Sequence, residues 1–275
     1  MIDPTSPIKY FAKMGWIKTV DVNEPLRKAA SMMVENGIRH VPVVDKGRLV
    51  GFISIRDVVE VLGSYNARTL LKREVYNFMS KRVVASSPED PLWEALKAMA
   101  EADVGALPLV DEEGKVVGIF TERDVVQNVA PELEWEGKAM DLATKNPKVV
   151  EAGTSLSDAI ELMNELKTRH LPVVENAKSR GPVLGLITAL GVSKFALNNE
   201  NKLPAILEEA AAEEVMESYS YLGEEAELRE ALEALARSAT DAVLLLGEDK
   251  VVKGIITDRD VMRETAKYLE RLAMP

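Results

Sequence analysis

The stretch Gly118-Ile119-Phe120-Thr121-Glu122-Arg123-Asp124 decides how this chain is read, because it returns three more times. Its counterparts are Gly51-Phe52-Ile53-Ser54-Ile55-Arg56-Asp57, Gly185-Leu186-Ile187-Thr188-Ala189-Leu190-Gly191 and Gly254-Ile255-Ile256-Thr257-Asp258-Arg259-Asp260. The leading glycines are spaced by 67, 67 and 69 residues, so the chain is four tandem units rather than one continuous design.

Working outward, each unit opens with a Met (Met14, Met79, Met140, Met216) before a short extended segment: Ile17 to Val20, Val83 to Ser86, Lys148 to Val150 and Tyr219 to Leu222. A helix start follows, with Pro25 and Pro91 suited to a first turn and Ser87 and Thr154 able to cap one. Apolar residues then recur at i, i+3, i+4 and i+7: Leu26, Ala29, Ala30, Met33; Leu92, Ala95, Leu96, Met99; Leu156, Ala159, Ile160, Met163; and Leu228, Ala231, Leu232, Leu235. That is one buried stripe on an amphipathic helix in every unit. A hairpin comes next, exemplified by Val41 to Val44, a turn at Asp45 to Arg48, and Leu49 to Ile53. A second helix starts at the Ser or Thr of the recurrent stretch.

The unit is therefore β-α-β-β-α, and the fold class α/β, built of α+β repeats. Helices on one face of a three-stranded sheet leave apolar surface exposed, so neighbouring units are expected to pair. Polar connections at 63–77, 131–137 and 198–214 separate the units, and 208–214 reads as an acidic, Ala-rich helix. The middle connection is the expected module boundary, giving residues 1–130 and 131–275.

Composition narrows the function. A formal charge of −11 opposes nucleic acid as a partner. Cysteine is absent, which removes disulfides, thiol nucleophiles and thiolate metal sites. No signal peptide and no apolar run of ~18 residues is visible, so a soluble, cytoplasmic protein without a membrane partner is expected. There is no GxxxxGK[ST] loop, and the two histidines lie in different halves, so no catalytic residue, metal site or catalytic cofactor is expected. Of the 11 methionines, Met32, Met33, Met99 and Met163 fall in or beside helical core stripes.

The recurrent Ser/Thr-x-x-Asp is, at its plainest, a helix cap. Capping requires neither the leading Gly nor the Arg (Arg56, Arg123, Arg259), so a second use is open. A helix N-terminus at the end of an inner strand favours anions. A carboxylate on its first turn can accept two hydrogen bonds from a vicinal diol. Ser54, Thr121 and Thr257 add hydroxyls, and Arg adds a bidentate phosphate donor. The histidines occupy equivalent places, Arg39-His40-Val41-Pro42 and Arg169-His170-Leu171-Pro172, whereas units 2 and 4 carry Gly105-Ala106 and Asp241-Ala242. Either shared ancestry of units 1 and 3 or a cationic cluster facing phosphate accounts for this alternation. Val41, Ile53, Leu107 and Phe120 could line an apolar slot for a base, or simply fill the core.

Four β-α-β-β-α units with Val-Pro-Val and Gly-h-h-Ser/Thr-x-Arg-Asp (h apolar) resemble cystathionine-β-synthase-type (CBS) domains over nearly the whole chain. Two such repeats associate as a Bateman module. Four without a catalytic domain are similar to the γ regulatory subunit of AMP-activated protein kinase. The resemblance implies binding of adenosine nucleotides, less often S-adenosylmethionine, in clefts between repeats. It assigns ribose to Asp57, Asp124 and Asp260, and sugar or phosphate neighbours to Ser54, Thr121 and Thr257. It assigns phosphate to Arg39, His40, Arg169 and His170, and a place near the nucleotide to Thr19. Unit 3 departs, with Gly191 for the Asp and Leu190 for the Arg, so its own ribose site is expected to be lost. Its Arg169 and His170 would then serve the nucleotide held by Asp260.

The leading expectation is a non-catalytic regulatory sensor of AMP, ADP or ATP acting on an unidentified regulated protein, as a monomer or homodimer. A structural scaffold without a physiological ligand and an S-adenosylmethionine module are the alternatives.

Overall fold

In the computed structural model, which describes residues 2–274, the first hairpin is set by its turn. Lys46 and Gly47 both have positive φ (48° and 81°), the conformation that joins two antiparallel strands with only two residues. Strand His40–Asp45 thereby pairs with Arg48–Ser54, and a short parallel strand, Val20–Asp21, adds to the other side of His40–Asp45. Helices Leu26–Asn36 and Ile55–Leu62 complete the unit. Unit 2 places helix Leu92–Ala102 before strands Ala106–Val110 and Val116–Thr121. Unit 3 runs Val150–Glu151, Leu156–Leu166, His170–Val174, Val183–Thr188 and Ala189–Asn198. Unit 4 runs Ser220–Gly223, Leu228–Arg237, Ala242–Leu246, Val252–Thr257 and Asp258–Ala273. In unit 2 the closing helix starts at Glu122–Asp124 and then widens into a π-helical turn, Val125–Val129.

All four apolar stripes are buried, as their periodicity requires. The opening strands lie later than expected and in units 1 and 3 are only two residues long, and in unit 2 only a single parallel bridge, Ser86 to Leu109, remains. Ser155, not Thr154, caps the third-unit helix by accepting from the Asp158 amide. The acidic segment 208–214 is not one helix: Ala205–Glu209 ends there and a separate turn, Ala212–Glu214, follows.

Helices and sheets join the units differently. One apolar cluster merges unit 1 with unit 3, packing Val58, Val59 and Leu62 with Ile160, Val192 and Ala196. Another joins unit 2 to unit 4 through Leu96, Met99 and Phe120 against Met262, Ala266 and Leu269. The helical faces therefore pair alternate units, not neighbours. Neighbours meet through their sheets, as Val174, Val183 and Leu186 do with Leu244, Val252 and Ile255.

Each linker also crosses to the neighbouring unit. Strand Lys13–Met14, which precedes unit 1, pairs with Val116–Thr121 of unit 2, while Ser80, which precedes unit 2, bridges to Phe52 of unit 1. Thr144–Lys145 pairs with Val252–Thr257, and Glu217 bridges to Leu186. This crossing explains the leading glycines. A Cβ at Gly118, Gly185 or Gly254 would lie 2.6, 2.8 or 3.0 Å from the sulfur of Met14, Met216 or Met140, and one at Gly51 would collide with Met79. The Met that opens each unit is packed onto the bare strand of its neighbour. No helix among the described residues is long and apolar enough to cross a membrane.

Candidate functional site

The recurrent aspartates do cap. The second oxygen of Asp57, Asp124 and Asp260 accepts from the backbone amide of Ser54, Thr121 and Thr257 at 2.7, 2.8 and 2.8 Å. The same oxygen takes the neighbouring hydroxyl at 2.7, 2.6 and 2.8 Å. One oxygen of each carboxylate is thus spent on the cap, and the other lies outside it. Burial raises the affinity of Asp124 and Asp260 for a proton, and the hydrogen bonds from Thr121 and Thr257 oppose that rise.

Asp124 opens on a cleft of about 320 Å³, a size that suits a small organic ligand. One wall is the crossing linker, with Lys13, Ile17 and Lys18; Ile38 and Ile119 supply further apolar surface. Arg39, His40, Thr121, Arg123 and Arg169 are the other expected residues gathered here. Thr19, Ser54, Arg56, Asp57, His170, Thr257, Arg259 and Asp260 lie outside this cleft. Val41, Ile53, Leu107 and Phe120 are fully buried in the core clusters and form no slot. Successive strand residues face opposite sides, so Ile119 reaches the cleft while Phe120 packs under the helices.

The arginines arrive with carboxylate partners. Arg39 pairs with Asp241 at 2.5 Å. Buried Arg169 donates to Glu122 at 2.7 Å, and Arg259 donates to the other Glu122 oxygen at 2.7 Å and to Asp103 at 3.0 Å. Arg123 donates to the carbonyls of Leu235, Ala236 and Ser238 at 2.9, 2.8 and 3.1 Å, closing the end of helix Leu228–Arg237. Asp241 and Asp258 lie 3.5 and 3.6 Å from the same guanidinium. Among the described residues Arg56 has no ion pair. Glu122, Asp241 and Asp258 were not singled out by the sequence reading. The signal was available in the position after the Ser or Thr, which reads Ile55, Glu122, Ala189, Asp258 and so alternates opposite to the Arg-His pairs.

Burial alone would raise the Glu122 carboxyl, but Arg169 and Arg259 outweigh it and hold the group well below the usual range. Burial lowers both histidines to about 3, so they are neutral. The His170 Nε2–H donates to the Thr240 carbonyl at 2.7 Å. His40 stacks on Phe52 and fills the space over Gly105, where a Cβ would lie 2.7 Å from its Nε2. Asp258 is 1% exposed and has one oxygen without a hydrogen-bond partner; burial, then Asp241, raises its carboxyl well above the usual range.

Known proteins agree with this architecture. The CBS domain matches at residues 17–64, 73–131, 139–196 and 212–267. The uncharacterized protein MJ1225 of Methanocaldococcus jannaschii is 26% identical over 90% of this chain and 94% of its own. Its crystal structure, titled as a proposed archaeal homolog of g-AMPK, superposes with a TM-score of 0.81 over 94% of this chain and 99% of that one. A 33.4 kDa protein from the ribosomal RNA operon of Thermofilum pendens is 30% identical over 84% of this chain and 81% of its own. CBS domain pairs are regulatory modules that bind ligands. The chain belongs to the CBS-domain family, with four repeats.

Proposed function

We propose that this chain is a regulatory sensor of adenine nucleotides, with the Asp124 cleft as its principal site. One observation carries the reading. A single cleft joins a carboxylate with one uncommitted oxygen, Asp124, to a cluster of guanidinium groups, Arg39, Arg123 and Arg169, across apolar walls at Ile17, Ile38 and Ile119. The carboxylate suits a ribose diol, the isoleucines an adenine face, and the arginines a phosphate. Asp57 and Asp260 carry the same cap and would serve further sites.

Negative net charge does not oppose this. At 0.1 M salt the Debye length is about 10 Å, which screens the remote carboxylates. Regulation follows if the ligand favours one arrangement of the units, since it can shift an equilibrium only by its differential affinity. A phosphate entering the cleft competes with Asp241 and Glu122 for arginines that hold units 1, 2, 3 and 4 together, which couples occupancy to packing.

Isothermal titration of the full chain with AMP, ADP, ATP and S-adenosylmethionine tests the reading. Binding of AMP that is lost in Asp124→Asn supports it. AMP affinity unchanged by Asp124→Asn and by Asp57→Asn would remove the diol assignment. No binding of any of the four would leave the scaffold alternative.

A further inference from the structure

Unit 3 ends its recurrent stretch on Gly191 where the other units carry aspartate, yet the fold brings a carboxylate to that place from elsewhere. The Thr188 hydroxyl donates at 2.6 Å to Oε1 of Glu217, repeating the hydroxyl-to-carboxylate bond that Ser54, Thr121 and Thr257 make within their own units. Glu217 belongs to the linker that crosses onto unit 3, where its amide and carbonyl bond to Leu186 at 2.8 and 3.0 Å. A Cβ at Gly191 would fall 2.7 Å from the same Oε1. An aspartate side chain at 191 and the Glu217 oxygen would therefore compete for one position.

The strand register points the same way. Glu217 faces Leu186 just as Lys13 faces Ile119 in unit 2. At this register position the units that keep their aspartate meet Ser80, Lys13 and Thr144, opposite Phe52, Ile119 and Ile255, and only unit 3, which lacks it, meets a carboxylate. Gly191 and Glu217 border a groove of about 430 Å³, with Leu190 and Phe195 as apolar wall and Lys194 as its cation.

We infer that Glu217 is a transplanted diol carboxylate and that this groove takes a ribonucleoside. The diol lies on Glu217, the base against Leu190 and Phe195, and any 5′ group toward Lys194. The inference rests on the reading of Asp124 as a diol ligand. The groove sets one lysine, Lys194, against a second carboxylate, Glu214, and has no arginine cluster, so it separates AMP from adenosine less than the Asp124 cleft does.

The test uses the full chain carrying Asp57→Asn, Asp124→Asn and Asp260→Asn together, titrated with adenosine and with 2′,3′-dideoxyadenosine. Adenosine is expected to retain one site, weakened more than about tenfold by adding Glu217→Gln or by removing the diol, the loss that follows when a hydrogen-bonding site meets a partner without the matching group. No adenosine binding by the folded triple variant, or binding indifferent to Glu217→Gln, overturns the inference. Should the triple variant not fold, Glu217→Gln alone decides. Loss of one adenosine site with AMP affinity at Asp124 intact supports the assignment, and unchanged stoichiometry overturns it. Failure of the Asp124 reading is seen separately, as AMP affinity unchanged by Asp124→Asn in the otherwise native chain.

Discussion

Arg169 of the third unit donates to Glu122 of the second at 2.7 Å, across 47 residues of sequence and with both side chains buried. Glu122 also holds Arg259 of the fourth unit, so one carboxylate answers two guanidinium groups from two different units. Removing it leaves buried positive charge without compensation, which costs about 3–5 kcal/mol. Glu122→Gln is expected to lower the urea midpoint sharply. Combining it with Arg169→Met should recover part of the loss, and a midpoint unchanged in the single variant would contradict the role.

The phosphate end of the Asp124 cleft carries Glu122, Asp241 and Asp258 among its arginines. Each added phosphate brings further negative charge toward these acids, and like charges set against one another are costly. AMP is expected to bind at least about tenfold more tightly than ATP. The exposed indole of Trp16, next to Ile17 in the cleft wall, provides a fluorescence readout, with Trp16→Phe as the blank.

Acid should unfold this protein through His170. Its folded value, about 3, lies below the ordinary 6.5. The unfolded chain therefore takes up the proton first, and stability falls as pH drops from about 6.5 toward 3. The loss is on the order of 1 kcal/mol per pH unit for this one side chain. Glu122 acts in the same direction at lower pH, since its folded affinity for protons is also depressed. His170→Gln should roughly halve the fall in melting temperature between pH 6.5 and 5, because His40, lowered to the same value, keeps its own share. His40 keeps an edge on the cleft, which makes His170 the cleaner probe.

Gly118→Ala forces a Cβ to within 2.6 Å of the Met14 sulfur and 3.1 Å of the Lys13 carbonyl. Overpacking of this kind costs about 1–3 kcal/mol. Gly223, in contrast, has nothing within 4 Å of its virtual Cβ, so Gly223→Ala should be neutral or stabilising by up to about 1 kcal/mol. Thermal unfolding of the two variants side by side checks the packing of Met on Gly.

Much of the unit was legible because periodicity is local. The Leu26, Leu92, Leu156 and Leu228 stripes and the Asp45 to Arg48 turn all follow from residues a few positions apart. The opening strands were misplaced because each is held by only a few parallel pairs, which leave no alternating pattern. Phe120, open in the sequence to either a ligand slot or the core, lies in the core, because adjacent strand residues face opposite ways and it is Ile119 that reaches the cleft. Glu122 and Asp258 were missed even though their alternation mirrors that of Arg39-His40 and Arg169-His170. Glu217 could not have been found by spacing: its partner Thr188 lies 29 residues away, and their meeting depends on the crossing linker.

That crossing governs how the chain can be made. On the ribosome, the first repeat lacks its edge neighbour until Ser80 has emerged, and Lys13–Met14 must wait without a mate for the strand Val116–Thr121. A nascent fragment stopped at Gly63 is therefore an incomplete sheet, and the smallest piece able to close its own edges is two repeats long.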